Sequence, residues 1–230
     1  DYIVLRAGTP TVDVPEDLPW QTICPANCAT ATSAGAVRLA GQLQDRVVVI
    51  CGAGMLGMTT AAMANYGNAA AVVVADIRSD RLQAARRFGA THVVDVTDGF
   101  AELVEVVDEL SSGRGADVVI DMSGAVAAIE ASIHWLRIGG RLVLVGSVFP
   151  SPAVAWDPER IVRNLITVTG LHNYNERDLK AAVDFLSVTR DQFPWGELVS
   201  KPYELRQIND AILAGTQGSS LRVAIKLNMT

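Results

Sequence analysis

The chain is short of aromatic residues, of cysteine and of positive charge, and each shortage removes a class of protein. Phe, Trp and Tyr make up 6% of its 230 residues while half are hydrophobic. A core built from it is therefore aliphatic and alanine-rich, as in proteins that alternate strands and helices. A net charge of −6 argues against nucleic acid as a partner, since phosphate-backbone binding needs basic patches. Three cysteines, Cys24, Cys28 and Cys51, with the last inside an apolar run, do not read as a disulfide framework. A reducing, cytoplasmic setting is expected. No apolar run approaches the roughly 20 residues of a membrane span, and no secretory signal opens the chain, so no membrane partner is expected. The first residues are Asp1-Tyr2-Ile3 rather than Met, and they are expected to continue something upstream.

What is present centres on Val47–Asp76. Val47–Cys51 is a short β-branched run suited to a strand buried on both faces of a parallel sheet. Gly52, Gly54 and Gly57 follow at G-x-G-x-x-G spacing, with Met55 and Leu56 between the last two. Gly52 permits a tight turn, Gly54 lets the main chain approach a pyrophosphate, and Gly57 lets the following helix pack against the strand. The free N–H groups and positive dipole end of that helix then face the anion. A second apolar run, Ala71–Ala75, ends in Asp76, where a carboxylate can accept hydrogen bonds from an adenosine ribose. Glycine-rich turns recur by chance, and the glycines of a strand–helix–strand unit can serve packing alone. Strand, glycines, helix, second strand and terminal acid in this order favour a dinucleotide site, with a methyltransferase as the nearest rival. Asp76 would repel a 2′-phosphate and so favours NAD over NADP, whereas Arg78 could pair with such a phosphate.

Upstream, residues 1–23 are punctuated by Pro10, Pro15 and Pro19, with an extended Tyr2–Arg6, and are too short to bury a core. Ala26–Ala40 follows as an expected helix with Cys28 at its start. A helix N-terminus lowers a thiol pKa and zinc favours thiolate ligands, yet a cysteine without local His or Cys partners is ordinarily a buried small hydrophobe. Downstream, strands and helices alternate. Ser79–Phe88 is an amphipathic basic helix N-capped by Ser79, and Val93-Val94 lies in a third strand. Phe100–Leu110 is a helix with Leu103, Val106, Val107 and Leu110 on one face. Asp117–Asp121 is a fourth strand, Ala125–Leu136 a helix broken by Gly139-Gly140, Arg141–Val145 a fifth strand and Leu165–Thr169 a sixth. Six strands separated by helices, with the glycine loop after the first, give a doubly wound parallel sheet of order 3-2-1-4-5-6, the Rossmann arrangement. Ligands then bind at the carboxyl ends of the strands. That places Gly52–Gly57, Asp76, Asp121–Ser123, Val145–Ser147 and His172 along one crevice, with Asp121 and Ser123 read as strand-end caps. Past Asn175 come helices over 178–188 and 205–213, a turn over 215–220 and a final strand over 222–227. An arginine at 222 could clamp a pyrophosphate bidentately, although a lone arginine is ordinarily a surface charge.

Assembled, these residues resemble the medium-chain, zinc-dependent alcohol dehydrogenase family over essentially the whole length. C-A-T-A-T at Cys28–Thr32 is similar to the segment carrying the last catalytic zinc ligand. G-A-G-M-L-G and the stretch from Ala75 to His92 match the cofactor loop and the surroundings of its ribose-binding acid. G-A-D-V-V-I-D-M-S-G, L-R-I-G-G-R-L-V-L-V-G and G-S-S-L-R-V-A-I match later strands. The resemblance implies Cys28 as a zinc ligand and Thr32 beside the nicotinamide. It also implies Ser123, Val145 and Gly146 near the cofactor and Arg222 on its pyrophosphate. It implies hydride transfer between a small alcohol or aldehyde and NAD, with zinc acting as a Lewis acid. P-A-N-C-A-T-A-T and G-L-H-N-Y further resemble a subgroup associated with phosphonate catabolism. Residues 35–173 are then the NAD-binding domain, flanked by 1–34 and 174–230 as parts of a GroES-like catalytic domain. The family's first zinc ligand, its G-H-E segment and its four-cysteine lobe do not occur in this sequence, so zinc is expected only in a complete protein. Alternatives are a zinc-free quinone or enoyl reductase, against which C-A-T-A-T argues, and a non-catalytic NAD-sensing module. A short-chain dehydrogenase is disfavoured because no Y-x-x-x-K occurs. A homodimer is expected through the exposed sixth strand.

Overall fold

The computed structural model describes residues 4–217 and 220–227. The runs of Val, Ile and Ala read as strands assemble into a parallel sheet of six strands. These are β1 (Val47–Cys51), β2 (Ala71–Asp76), β3 (His92–Asp95), β4 (Ala116–Asp121), β5 (Leu136–Leu144) and β6 (Thr167–Gly170). They lie in the order β3-β2-β1-β4-β5-β6, as the alternation predicts. β1 is buried at every position because both its neighbours and both helical layers cover it. Each such aliphatic side chain withdraws enough apolar surface to contribute about 1.5–3 kcal/mol, which fixes the centre of the sheet before any loop is considered.

In chain order the helices are α1 (Trp20–Ile23), α2 (Ala31–Ala40), α3 (Met55–Tyr66), α4 (Ser79–Arg87), α5 (Ala101–Ser111), α6 (Val126–Trp135), α7 (Pro158–Arg163), α8 (Glu176–Val188) and α9 (Ile208–Thr216). One aliphatic layer packs Ala36, Ala61, Leu82 and Ala85 against Val48, Ile50, Val72, Val74 and Ile120. On the opposite face, Leu103, Val107, Ile133 and Trp135 meet Val47, Val49, Val73 and Val119. The expected apolar face of α5 is therefore correct, with Val106 and Leu110 half-buried at its margin. A third cluster lies outside the sheet, where Phe88, Phe185, Phe193 and Trp195 pack edge-on and stacked, and α8 seats Val183 and Leu186.

Several boundaries differ from expectation. The helix expected over Ala26–Ala40 divides: Ala26–Thr30 is one turn of π-helix, with the Thr30 N–H on the Pro25 carbonyl and the Ala31 N–H on Ala26, and α2 begins after it. Ser79 is not the N-cap of α4; Arg78 holds that position, extended, and no side chain caps the helix. β5 starts at Leu136 rather than Arg141, because Gly139 turns the chain at φ +73° without ending the strand; a register shift against β4 absorbs the irregularity. β6 begins at Thr167 rather than Leu165, since Leu165 sits at φ +53°. The helix expected over 205–213 opens as a 3₁₀ turn at Leu205–Gln207 and continues as α9. The final strand shrinks to β8 (Ile225–Lys226), parallel to β7 (Tyr203–Glu204), with Arg222 in a single bridge to Val199. The expected extended Tyr2–Arg6 and turn at 215–220 fall partly outside the described residues.

Candidate nucleotide-binding site

The turn that leaves β1 is held from two sides. Gly52 adopts φ +99°, a conformation L side chains rarely take, and its N–H donates to the Ala75 carbonyl at 2.7 Å. Gly57, in the first turn of α3, approaches the same loop so closely that a Cβ there would lie 1.8 Å from the Gly52 carbonyl oxygen. The loop and helix therefore meet backbone to backbone. Gly54 is the N-cap of α3 and offers no side-chain cap, and a Cβ built on it would meet nothing within 4 Å. The helix thus points uncapped N–H groups and its positive end into open space, where an anion is stabilised.

Asp76 faces this turn from the end of β2. Its Oδ2 accepts the Ala53 N–H at 2.6 Å and its Oδ1 the Arg78 N–H at 2.9 Å. One carboxylate thereby sets both the glycine loop and the start of α4. Between them opens a cleft of about 510 Å³ at the carboxyl ends of β1, β2 and β4, lined by Gly52, Gly54, Asp76 and Ser123 among others. Its far wall is apolar, formed by Ile77, Val96 and Phe100. Such a cleft can seat a flat ring on the apolar side, a diol at Asp76 and a phosphate at α3.

The second loop bordering the cleft is organised by Asp121. Its carboxylate accepts the Ser123 N–H at 3.0 Å, the Ser123 hydroxyl at 2.7 Å and the Gly124 N–H at 3.1 Å. Burial pushes this carboxyl upward from the ordinary carboxylate range and outweighs the hydrogen bonds from Ser123 and Gly124. The reading of Asp121 and Ser123 as strand-end caps is correct. Burial, and then the neighbouring Asp121, push the Cys51 thiol far up, so it is an inert part of the cleft floor.

The family model for zinc-binding dehydrogenases matches residues 56–188, more than half of the chain. The chain belongs to that family. It is 30% identical over 189 residues to D-arabitol-phosphate dehydrogenase of Enterococcus avium, covering 81% of this chain and 52% of that protein. It is 29% identical over 218 residues to L-threonine 3-dehydrogenase of Ruegeria pomeroyi, covering 93% of this chain and 60% of the relative. Its fold is that of an alcohol dehydrogenase from Thermotoga maritima, with a TM-score of 0.89 at 23% identity over 94% of this chain and 60% of that one. The chain thus spans between half and two thirds of the length of these relatives.

The cleft gathers Gly52, Gly54, Asp76, Arg78 and Ser123 from the residues singled out in sequence. Met55 and Gly57 are buried beneath the loop and Leu56 half-buried, its carbonyl accepting the Ser33 hydroxyl at 3.1 Å. Val145 is buried and Gly146 half-buried behind the Asp121 loop; a Cβ on Gly146 would lie 2.2 Å from the Gly124 nitrogen, so this glycine lets two turns pack. Neither lines the cleft, nor does the exposed His172. Arg222 lines a separate groove beside α9, where its Nε is buried without a hydrogen-bond partner. Arg81, Val96, Phe100 and Ala125 line the cleft and were missed from sequence. Arg81 lies in the first turn of α4, and its place in the cleft depends on how that helix approaches the sheet, which no local spacing reports.

NAD and zinc fit this chain differently. The uncapped N-terminus of α3 and the open space at Gly54 suit a pyrophosphate-bearing nucleotide, while the unpartnered Arg222 Nε stands in a separate groove. For zinc, no group of three or more His, Cys, Asp or Glu that could hold a metal occurs among the described residues. Cys28 is exposed rather than the buried hydrophobe a lone cysteine usually is, and Cys24 is half-buried. Thr32 is buried on α2. A zinc site cannot be completed from the residues described.

Proposed function

We propose that this chain is the cofactor-holding part of an NAD-dependent medium-chain alcohol dehydrogenase. The parent protein would move hydride between a small alcohol or aldehyde and NAD. The observation that carries the reading is Asp76, poised at the end of β2 with one oxygen on the loop that would receive the pyrophosphate and the other on the N–H that starts α4. In this reading Asp76 accepts from the adenosine ribose hydroxyls, and the adenine lies against Ile77, Val96 and Phe100. The first N–H groups of α3, at Met55, Leu56 and Gly57, meet the phosphates, and Arg222 swings its free Nε–H onto them. Ser123, Val145 and Gly146 border the nicotinamide end, and Thr32 packs beside it. When bound, NAD supplies the hydride acceptor. This chain's residues bind and orient it, and the apolar wall excludes water from the adenine end.

Zinc belongs to the complete protein in this reading, with Cys28 contributing one ligand from its exposed place on the π-turn. The substrate is a small alcohol, and a phosphonate-bearing one is the finer expectation. β6 lies at the sheet edge with Val162 and Leu165 exposed nearby, and it would pair with a second copy in a cytoplasmic homodimer.

Calorimetry with NADH and NADPH tests the core of the proposal. Saturable binding of NADH, weaker with NADPH, is expected. No heat from either nucleotide, or binding of S-adenosylmethionine in their place, overturns it.

A further inference from the structure

The mouth of the cleft carries four charges within six residues: Asp76, Arg78, Asp80 and Arg81. Asp76, Arg78 and Arg81 line the cleft and Asp80 does not. Arg78 nevertheless faces Asp80 fork to fork, with Nε on Oδ1 at 3.0 Å and Nη2 on Oδ2 at 2.7 Å. A guanidinium held bidentately in this way has its planar fork committed, and its charge neutralised, at the position where a 2′-phosphate would need it. We propose that Asp80 sets cofactor selectivity by tethering Arg78, so that the Asp80–Arg78 pair acts with Asp76 to exclude a 2′-phosphorylated nucleotide. The inference rests on the nicotinamide-nucleotide reading of the cleft and deepens it.

The charge balance gives the size of the effect. Two carboxylates and two guanidiniums at the mouth sum to zero. With Asp80 neutral the sum is +1, and Arg78 is released to turn its fork toward the ribose. One added positive charge about 6 Å from a near-dianionic phosphate, in a water-like dielectric, shifts affinity by roughly tenfold. Both partners of the pair are largely solvent-exposed, at 45% and 65%, so breaking it leaves the fold almost untouched and mainly changes what Arg78 can reach. Asp80 is thus a positioning residue, acting only through Arg78.

The test compares the dissociation constants of NADPH and NADH for the parent chain, for Asp80→Asn and for Asp80→Asn with Arg78→Ala, at low ionic strength. NADPH is measured by displacement of bound NADH. The NADPH-to-NADH ratio is expected to fall about tenfold in Asp80→Asn, to return near the parent value in the double variant, and to lose most of its shift in high salt. A ratio within twofold of the parent in Asp80→Asn overturns the tether, as does a gain that survives removal of Arg78. If NADH binds and the ratio does not move, only this inference falls. If the parent chain binds neither nucleotide, the nucleotide reading falls with it.

Discussion

β4 carries a carboxylate near each end, and the two are treated in opposite ways. Asp117, near the amino end, accepts from Arg46 Nη1 at 3.0 Å, Arg137 Nε at 2.6 Å and the Val47 N–H at 2.9 Å. Burial pushes it upward, but that N–H and the two guanidiniums outweigh burial and hold it below the usual range. Asp121, at the carboxyl end, receives only N–H and hydroxyl donors, and burial wins. Cations therefore lock the end of the sheet away from the nucleotide cleft, while the end bordering that cleft is held by N–H and hydroxyl donors without a cation. Binding geometry and anchoring strength are kept on opposite edges, and a ligand at one edge need not compete with the ion pairs at the other.

The sharpest way to break this contrast is Asp117→Ala. It strands two guanidiniums and an N–H, and because both arginines are partly exposed the expected loss is about 2–4 kcal/mol, read by urea unfolding. NADH affinity of the folded fraction should not change. Next comes Gly57→Ala at the opposite edge. Its methyl would collide with the Gly52 carbonyl, so a stability loss of about 1–3 kcal/mol should accompany loss of measurable NADH binding by calorimetry. If Asp117→Ala spoiled NADH binding while Gly57→Ala spared it, the assignment of roles to the two edges would be reversed.

The pH dependence separates the two carboxylates by sign. Asp117 has a folded pKa below its unfolded value of about 4, so its contribution is present above that pH and lost as the pH falls through the folded pKa. Asp121 has a folded pKa above its unfolded value, so its contribution is complete below about pH 4 and lost as the pH rises through the folded pKa. Unfolding midpoints between pH 3 and 7 should show Asp117→Asn losing ground to the parent as pH rises and Asp121→Asn gaining on it. Parallel curves would mean that the environments do not differ. The smallest effect is expected at Lys180→Ala, which removes an exposed i,i+4 pair with Asp184 on α8 and should cost less than about 0.5 kcal/mol. Metal analysis adds a separate check: this chain alone should retain less than one zinc per molecule after dialysis.

The sheet was legible wherever burial on both faces forces a continuous apolar run, as in Val47–Cys51 and Ala71–Ala75, because a side chain without solvent leaves one reading. Its edges were not. Leu136–Ile138 and Gly139-Gly140 carry mixed signals, and only the β4 pairs on either side, Ala116 with Leu136 and Val118 with Arg141, hold them in the strand. Ser79 looked like a cap by residue type alone, yet Asp76 fixes the backbone one residue earlier through the Arg78 N–H. The glycine loop and Asp76 were readable because their spacing encodes backbone geometry. Arg81 and Phe100 were not, since their place in the cleft depends on how α4 and α5 approach the sheet. The dual anchoring of Asp117 rests on arginines 71 and 20 positions away, a separation that no local pattern reports.

The π-turn at Ala26–Thr30 has a consequence for how this chain tolerates change. A π-turn holds one residue more than the α-turn it replaces, and here it carries exposed Cys28 and leads directly into α2 with its buried Thr32. Deleting a single residue in that stretch would let an ordinary α-turn close and swing everything upstream by about 100° around the axis. The thiol would then look in another direction while Thr32 stayed where it was. Length, more than side-chain identity, is the constraint written into this stretch.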